Sequence, residues 1–434
     1  MTVRIVGMRK SFILKSLPWI FLILWVLINQ KTWHFNRPSH LYNVVGATFG
    51  AASFFLFSFS FLYITKWKIL ESCFGGLDKV FRYHQFLGKI GYSFLLIHIS
   101  SFSIKWGHGD IPSFFLNLLP IHRSLAINIG SYAFIFMTLI LGITVLKLLP
   151  YHIWKRLHKW MSVVYILSFI HFLLFERSIG SFASNLLLYT SAAVGLASIV
   201  YKQLLYSLFV TPYKCSVAKV EKLNKNLVKI TLHSKNEPVR FIPGQYVFVH
   251  FDSPNFSKEQ HPYTLALDKK SAHILLYVKS RGDYTRALHT SLQTGWDAYL
   301  EGPYGRLDFR SDKKQIWIAG GIGIALFLSW IHALKISDKK TIDLFFCCHN
   351  RSDLDILNEV RETIHDVQGI RIFTFCSEES QHLNCSNIVK QCPDYRDRKI
   401  FMCGPRKLTQ SIRKQLLSLS VDRTHIEYED FNFF

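Results

Sequence analysis

Six apolar runs fill the first half of this chain, near residues 11–29, 43–65, 84–103, 126–148, 158–175 and 183–203. Each is close to the ~20 residues an α-helix needs to cross the hydrocarbon core of a bilayer. After Thr211 the pattern becomes that of ordinary soluble protein, with strands and helices in turn. The 434 residues therefore read as a membrane domain over 1–210 and two soluble domains over 211–310 and 311–434.

Charge divides at the same place. Residues 1–210 hold 19 Lys and Arg against 4 Asp and Glu; the remainder holds 32 against 25. The basic excess is thus mainly a membrane-topology signal with anionic lipid as partner. Nucleic acid is set aside, because no basic stripe with interleaved aromatics accompanies the charge. Lys66, Lys68, Lys79, Arg82, Lys147, Lys155, Arg156 and Lys159 crowd alternate loops, as do Arg4, Arg9 and Lys10 at the start. The intervening loops hold only Lys31, Arg37, Lys105, Arg123 and Arg177, so both termini are expected in the cytoplasm. The first run lacks a small-x-small cleavage site and is read as an anchor. Seven of the eight cysteines follow residue 210 without CxxC spacing, which suggests reduced cytosolic thiols rather than a zinc site.

Histidines stand inside these runs. His84 and His98 are fourteen residues apart in one, and His158 and His171 are thirteen apart in another. At about 1.5 Å per residue each pair spreads its imidazoles roughly 20 Å along the helix. Both runs are expected to point outward, which pairs His84 with His158 inside and His98 with His171 outside, as for two haems. An iron with an imidazole on each face has no open position and passes single electrons. The fourteen-residue spacing returns to nearly the same helix face, but the thirteen-residue spacing misses it by about 140° and needs tilt or local unwinding. Gly88 and Gly91 would let a porphyrin or a neighbouring helix approach. His34, His40, His108, His122 and His152 are expected in loops or at span ends, solvated.

Over 213–300, short strands alternate with turns, as in a small antiparallel β-barrel. His261-Pro262-Tyr263-Thr264 offers a rigid ring, an aromatic face and a hydroxyl, which suits a flavin. Lys279-Ser280-Arg281-Gly282-Asp283-Tyr284-Thr285 opens a helix and offers N–H groups and hydroxyls to a pyrophosphate. From Gln315 the pattern is strand, glycine turn, helix: Ile316–Ala319, then Gly320-Gly321-Ile322-Gly323, then Ile324–Leu334, the opening of a Rossmann-like α/β fold. Further strands are expected at Ile342–Cys347, Ile370–Phe375 and Ile400–Met402, the last running into Cys403-Gly404-Pro405.

With these motifs in this order, the chain resembles the ferric reductase and NADPH oxidase family of transmembrane flavocytochromes b. The shared set also includes Gly302-Pro303-Tyr304-Gly305, and the likeness covers nearly the whole chain. It implies a six-helix di-haem bundle followed by a ferredoxin-reductase-like module, an antiparallel FAD barrel plus a nucleotide domain. It further implies that His84, His98, His158 and His171 ligate two b-type haems, and that His261–Thr264 hold FAD with residues 279–285 on its pyrophosphate. Gly302–Gly305 and Gly320–Gly323 would shape the site for NADPH or NADH, with Cys403 beside the nicotinamide and Gly404 and Pro405 in the same turn. The terminal Phe434 resembles the aromatic that covers the flavin. Where the family commonly has a hydroxyl residue and proline after the glycine turn, this chain has Ala325 and Leu326. No EF-hand loop occurs, so calcium gating is not expected and the likeness is to the bacterial type of oxidase without EF-hands.

The implied activity is electron transfer from cytosolic NADPH through FAD and two haems to an acceptor at the outer face. Oxygen is favoured because the outer loops are short and poor in carboxylates; Arg123 or Arg177 would then attract superoxide. A ferric chelate and a soluble redox partner are the alternatives. Outside oxidoreductases, a six-helix proton channel or transporter with a nucleotide-sensing domain would use its histidines as a proton relay. Arg351, just past the strand ending at Cys348, is placed to meet a 2′-phosphate and favours NADPH.

Overall fold

The computed structural model describes residues 2–33, 35, 37–107, 110–179, 181–253, 259–268, 271–310, 312–335, 337–364 and 369–430. They form two compact units: residues up to Phe74 with Lys79–Phe209, and Gly75–Asp78 with Val210–Phe434.

Among the described residues of the first unit, six helical stretches are long and apolar enough to cross a membrane. They are built from α1 (Thr2–Asn29), α2 (Pro38–Tyr63), α3 (Leu77–Gly107), α4 (Leu125–Leu146), the pair α5 (Tyr151–His158) and α6 (Met161–Ile179), and α7 (Phe182–Val200). Their outward residues are apolar: Leu139, Val145 and Leu146 are more than half exposed, as a lipid-facing surface requires. Inside, small residues let backbones approach. Ser53 of α2 donates to the Gly91 carbonyl of α3 at 2.9 Å, while Ser191, Ala192, Gly195 and Ser198 line the buried side of α7. Trp25, Phe54, Phe55 and Tyr165 fill the middle; Tyr165 stacks on Phe54 at 5.3 Å and its hydroxyl lies 2.7 Å from Ser58 Oγ.

The run expected at 158–175 is not one continuous helix. It stops at His158, turns through Lys159 and Trp160, and restarts at Met161. Bonds of i→i+3 type cross the break, from Trp160 N to Leu157 O (2.9 Å) and Val163 N to Trp160 O (2.9 Å). This tightened turn resets the helical phase between His158 and His171.

In the second unit, β1 (Tyr213–Asn224), β2 (Leu227–Ser234), β3 (Tyr246–Asp252), β4 (His261–Thr264), β5 (Ala266–Leu267), β6 (Ile274–Lys279) and β7 (Asp297–Tyr304) form one antiparallel sheet, ordered β4-β3-β7-β1-β2-β6-β5. Its two edge strands, β4 and β5, are separated only by Leu265, so the sheet curls back on itself as a barrel. Strand alternation sends Val217, Ile230, Val247, Val249, Leu276 and Leu300 into a common core.

A second sheet, wholly parallel, is ordered β10-β9-β8-β11-β12. Its strands are β8 (Lys314–Gly320), β9 (Thr341–Cys348), β10 (Ile370–Cys376), β11 (Lys399–Cys403) and β12 (Ile426–Glu429). The last is a strand that the sequence pattern did not point to. Strand order reverses between β8 and β11, the switch point at which open α/β sheets bind ligands. Two further helices matter here, α8 (Asp283–Ser291) and α9 (Ile324–Ala333). α9 ties the sheets together: Ser329 Oγ accepts from Gly244 N at 2.8 Å and donates to Leu265 O at 2.5 Å, and the Trp330 indole donates to Pro243 O at 3.0 Å. Ala325 and Leu326, which depart from the family pattern, lie in the first turn of this helix and are both buried in the core.

Candidate functional site

The structure brings the four histidines together as two facing pairs. The ring centres of His84 and His158 lie 6.4 Å apart and those of His98 and His171 lie 6.3 Å apart, with near-perpendicular planes in both. A metal midway between two imidazoles, about 2.0 Å from each nitrogen with each ring centre roughly 1.1 Å beyond, would space the rings about 6.2 Å. The donor set therefore fits an axially ligated iron. Three rings are fixed through Nδ1, leaving Nε2 available. His98 Nδ1 lies 2.7 Å from Gly46 O, His171 Nδ1 lies 2.8 Å from Ala126 O, and His84 Nδ1 lies 2.7 Å from Ser60 Oγ and 3.1 Å from Ser60 O. Such a partner fixes the ring and raises the basicity of the ligating nitrogen. His158 Nδ1 is buried without a hydrogen-bond partner among the described residues.

Two glycines that the sequence did not single out make this possible. A Cβ on Gly50 or on Gly130 would lie 2.6 Å from Nδ1 of His98 or His171 respectively. Gly91 lets a neighbouring helix approach as expected, packing on the Phe57 ring of α2, and Gly88 has nothing within 4 Å. Of the other histidines, His40 and His152 lie at span ends as expected, but His40 and His122 are not simply solvated. His40 lies in the first turn of α2 with Nδ1 buried, and His122 Nε2 sits 3.1 Å from Asn117 O beside Trp106. His152 lies in the first turn of α5. Arg123 is exposed. His34, His108, the side chain of Arg177 and the tail Phe431–Phe434, with its candidate Phe434, lie outside the described residues.

On β4 the motif splits between two faces. Tyr263 points into the barrel core, where burial pushes its phenol well above its ordinary pKa, so its ring is not the open stacking plane expected. His261 stacks on Tyr284 at 4.3 Å and its Nε2 lies 2.8 Å from Glu259. Pro262 and Thr264 take the opposite face, in register with Phe248 and Tyr246. There Tyr246, Phe248 and Tyr304 form an aromatic cluster, and the Tyr304 hydroxyl donates to Glu301 at 3.0 Å. Period-two alternation in β3 carries this signal, which a search for contiguous motifs passes over.

The segment after β6 is largely occupied by its own contacts. Lys279 pairs with Asp353 at 2.5 Å and Ser280 N donates to Asn226 O. Thr285 Oγ1 takes the N–H groups of Arg281 (2.8 Å) and Gly282 (3.0 Å), and Asp283 pairs with Arg286. Arg281 itself reaches the glycine turn, its Nη2 3.6 Å from where a Gly321 Cβ would stand. At the switch point the two remaining motifs meet. Ala319 and Cys403 are register partners, and a Cβ on Gly323 would lie 2.2 Å from Cys403 O, so backbone here approaches backbone. Gly320 packs in the same way on Gly404 and Pro405. Cys403 is fully buried; burial, with Glu429 and Asp430 nearby, pushes its thiol far above the ordinary value. Glu429, the register partner of Cys403, also reaches Gly305 of the Gly302–Gly305 turn, whose Pro303 follows a cis bond. Arg351 is exposed and paired with Glu379.

Comparison with known proteins bears on the two units. Residues 49–169 match the family model described as ferric reductase like transmembrane component, and residues 213–308 match that for an FAD-binding domain. The reductase component of propane 2-monooxygenase from Rhodococcus jostii is 22% identical over 265 residues, covering 56% of this chain and 70% of the relative. The glycine betaine monooxygenase reductase subunit of Chromohalobacter salexigens is 24% identical over 216 residues, covering 45% and only 58%. A flavohemoglobin structure from Malassezia yamatoensis shares the fold, with TM-score 0.52 and 14% identity over 95% of this chain and 99% of that one. A transmembrane component followed by a flavin and nicotinamide reductase module defines a membrane electron-transfer oxidoreductase. More particularly, the chain has the architecture of the ferric reductase and NADPH oxidase family.

Proposed function

We propose that this chain moves electrons from cytosolic NADPH, through FAD and two b-type haems, to oxygen at the outer face. The observation that carries the reading is the matched spacing of two histidine pairs, 6.4 and 6.3 Å between ring centres, on helices of the membrane unit. When bound, flavin accepts a hydride and releases single electrons, and bis-imidazole haem relays them.

In this reading residues 1–210 are the di-haem domain, 211–310 the FAD domain and 311–434 the nucleotide domain, with both termini cytoplasmic. Pro262 and Thr264 meet the flavin on the face shared with Tyr246 and Phe248. Residues 279–285 receive the flavin pyrophosphate, the Gly302–Gly305 and Gly320–Gly323 turns shape the nicotinamide dinucleotide site, Cys403 borders the nicotinamide, and Arg351 takes the 2′-phosphate by exchanging its pairing with Glu379. Oxygen is favoured over a ferric chelate by the outer segments. Fe(III) prefers carboxylate ligands, and between residues 104 and 124 the only carboxylate is Asp110, which caps a helix by accepting from Ser113 N at 2.9 Å.

The test is a reduced-minus-oxidised spectrum of the purified chain, followed by NADPH consumption in air and then with ferric chelate under nitrogen. A bis-imidazole b-type spectrum and cytochrome c reduction abolished by superoxide dismutase are expected. No haem signal overturns the electron-transfer reading; turnover only with ferric chelate overturns the oxygen assignment.

A further inference from the structure

The four histidines are not held alike. Three have Nδ1 within 2.7–2.8 Å of an oxygen on a neighbouring helix segment, Gly46 O, Ala126 O or Ser60 Oγ. His158 has none, although its Nδ1 is buried. Instead its ring lies against the indole of Trp154, centres 5.3 Å apart and planes 30° from parallel. Trp154 precedes it by one helical turn on α5, the spacing at which side chains meet. That indole is in turn anchored across to α4, its Nε1 donating to Thr144 Oγ1 at 2.9 Å. His158 also stands at the last residue of α5, just before the turn at Lys159 and Trp160, where backbone alone constrains a ring least.

We infer that Trp154, anchored by Thr144, is the positioning residue that sets the plane of His158, replacing the hydrogen bond used by the other three histidines. This rests on the reading of the histidines as axial pairs. It makes the two centres inequivalent. A ligand whose second nitrogen donates to an oxygen is more basic and stabilises the oxidised metal. The His84–His158 centre has one such ligand and the His98–His171 centre has two, so the missing bond raises the potential of the former above what the same centre would have with it.

The experiment uses the full chain in detergent or nanodiscs, comparing wild type with W154L, W154F, T144V and His158→Ala. Potentiometric titration gives the midpoints, and electron paramagnetic resonance of the ferric protein reports the angle between axial imidazole planes. Wild type should show two low-spin signals with separate midpoints, and His158→Ala, by losing one, identifies the inner centre. W154L should change the anisotropy and midpoint of that signal while leaving the other untouched; W154F should largely restore it, and T144V should shift it less than W154L. A W154L protein with both signals as in wild type, or with both shifted equally, overturns the inference while leaving the axial pairs intact. Should W154L fail to fold, T144V decides, and an unchanged inner signal overturns the assignment. A wild type with no bis-imidazole signal overturns both the pairs and the inference.

Discussion

In the membrane unit the candidate ligands are side chains, each borne by a helix whose backbone bonds are already closed. In the reductase unit the candidate contacts are mostly turns, in which the backbone itself approaches the ligand and another strand. The difference decides what a mutation does. Removing His98 leaves Gly46 O in a helix that still folds, whereas adding one carbon at Gly323 drives a side chain into Cys403 O, 2.2 Å away. Function and stability are separable in the first unit and fused in the second.

The largest effect should come from the double variant His98→Ala, His171→Ala. It is expected to lose about half of the b-type absorbance, one of two centres, while far-ultraviolet circular dichroism stays within error of wild type. Complete loss of haem, or collapse of the helical signal, would show that ligand and fold are coupled in the membrane unit after all.

Next is Gly323→Ala. Overpacking of a fixed backbone costs on the order of 1–3 kcal/mol, which lowers the melting midpoint of a unit this size by roughly 2–4 °C per kcal/mol. The matched control in the membrane unit is Gly142→Ala, where nothing lies within 4 Å and the change should stay within about 0.5 kcal/mol. Differential scanning calorimetry of the two proteins reads both. Equal destabilisation would erase the contrast between the units.

How much of this was legible in the sequence follows the same division. Spans and histidines stand out because bilayer thickness and membrane cost leave them few alternatives, so the six helices and both pairings could be read directly. The need for tilt or unwinding between His158 and His171 was legible, but not its position at Lys159 and Trp160, since no proline or glycine marks the turn and i→i+3 bonds produce it. Nor could Gly50 and Gly130 be picked out, because which glycine faces a histidine depends on helix packing. In the reductase unit the contiguous motifs were legible, but their division between faces was not. Tyr263 entered the barrel core, while Pro262 and Thr264 lie in register with Phe248 and Tyr246 on the other face. Glu429 was missed because β12 is only four residues long and no strand was expected there.

A smaller effect tests the one side chain in the reductase unit on which nucleotide choice rests. Arg351→Ala should raise KM for NADPH about tenfold, near 1.4 kcal/mol, with KM for NADH unchanged. If both nucleotides are affected alike, Arg351 acts through its pairing with Glu379 on the turn and not on a phosphate.

The smallest effect lies furthest from any ligand. Asp394 accepts from Arg398 at 2.7 Å and from Lys314 at 2.9 Å, and the Arg398 bond holds its carboxyl down at about 2. Because this group is more acidic folded than unfolded, its stabilisation is fully present above the unfolded value of about 3.9 and fades as pH falls through the folded one. Asp394→Asn should therefore lower the reductase-unit melting midpoint slightly at pH 7 and flatten its decline between about pH 4 and pH 2. The haem absorbance should be unmoved at pH 7 in the same protein. A loss of haem in that variant at neutral pH would mean that this surface network reaches the membrane unit's ligands, and the separation argued above would fail.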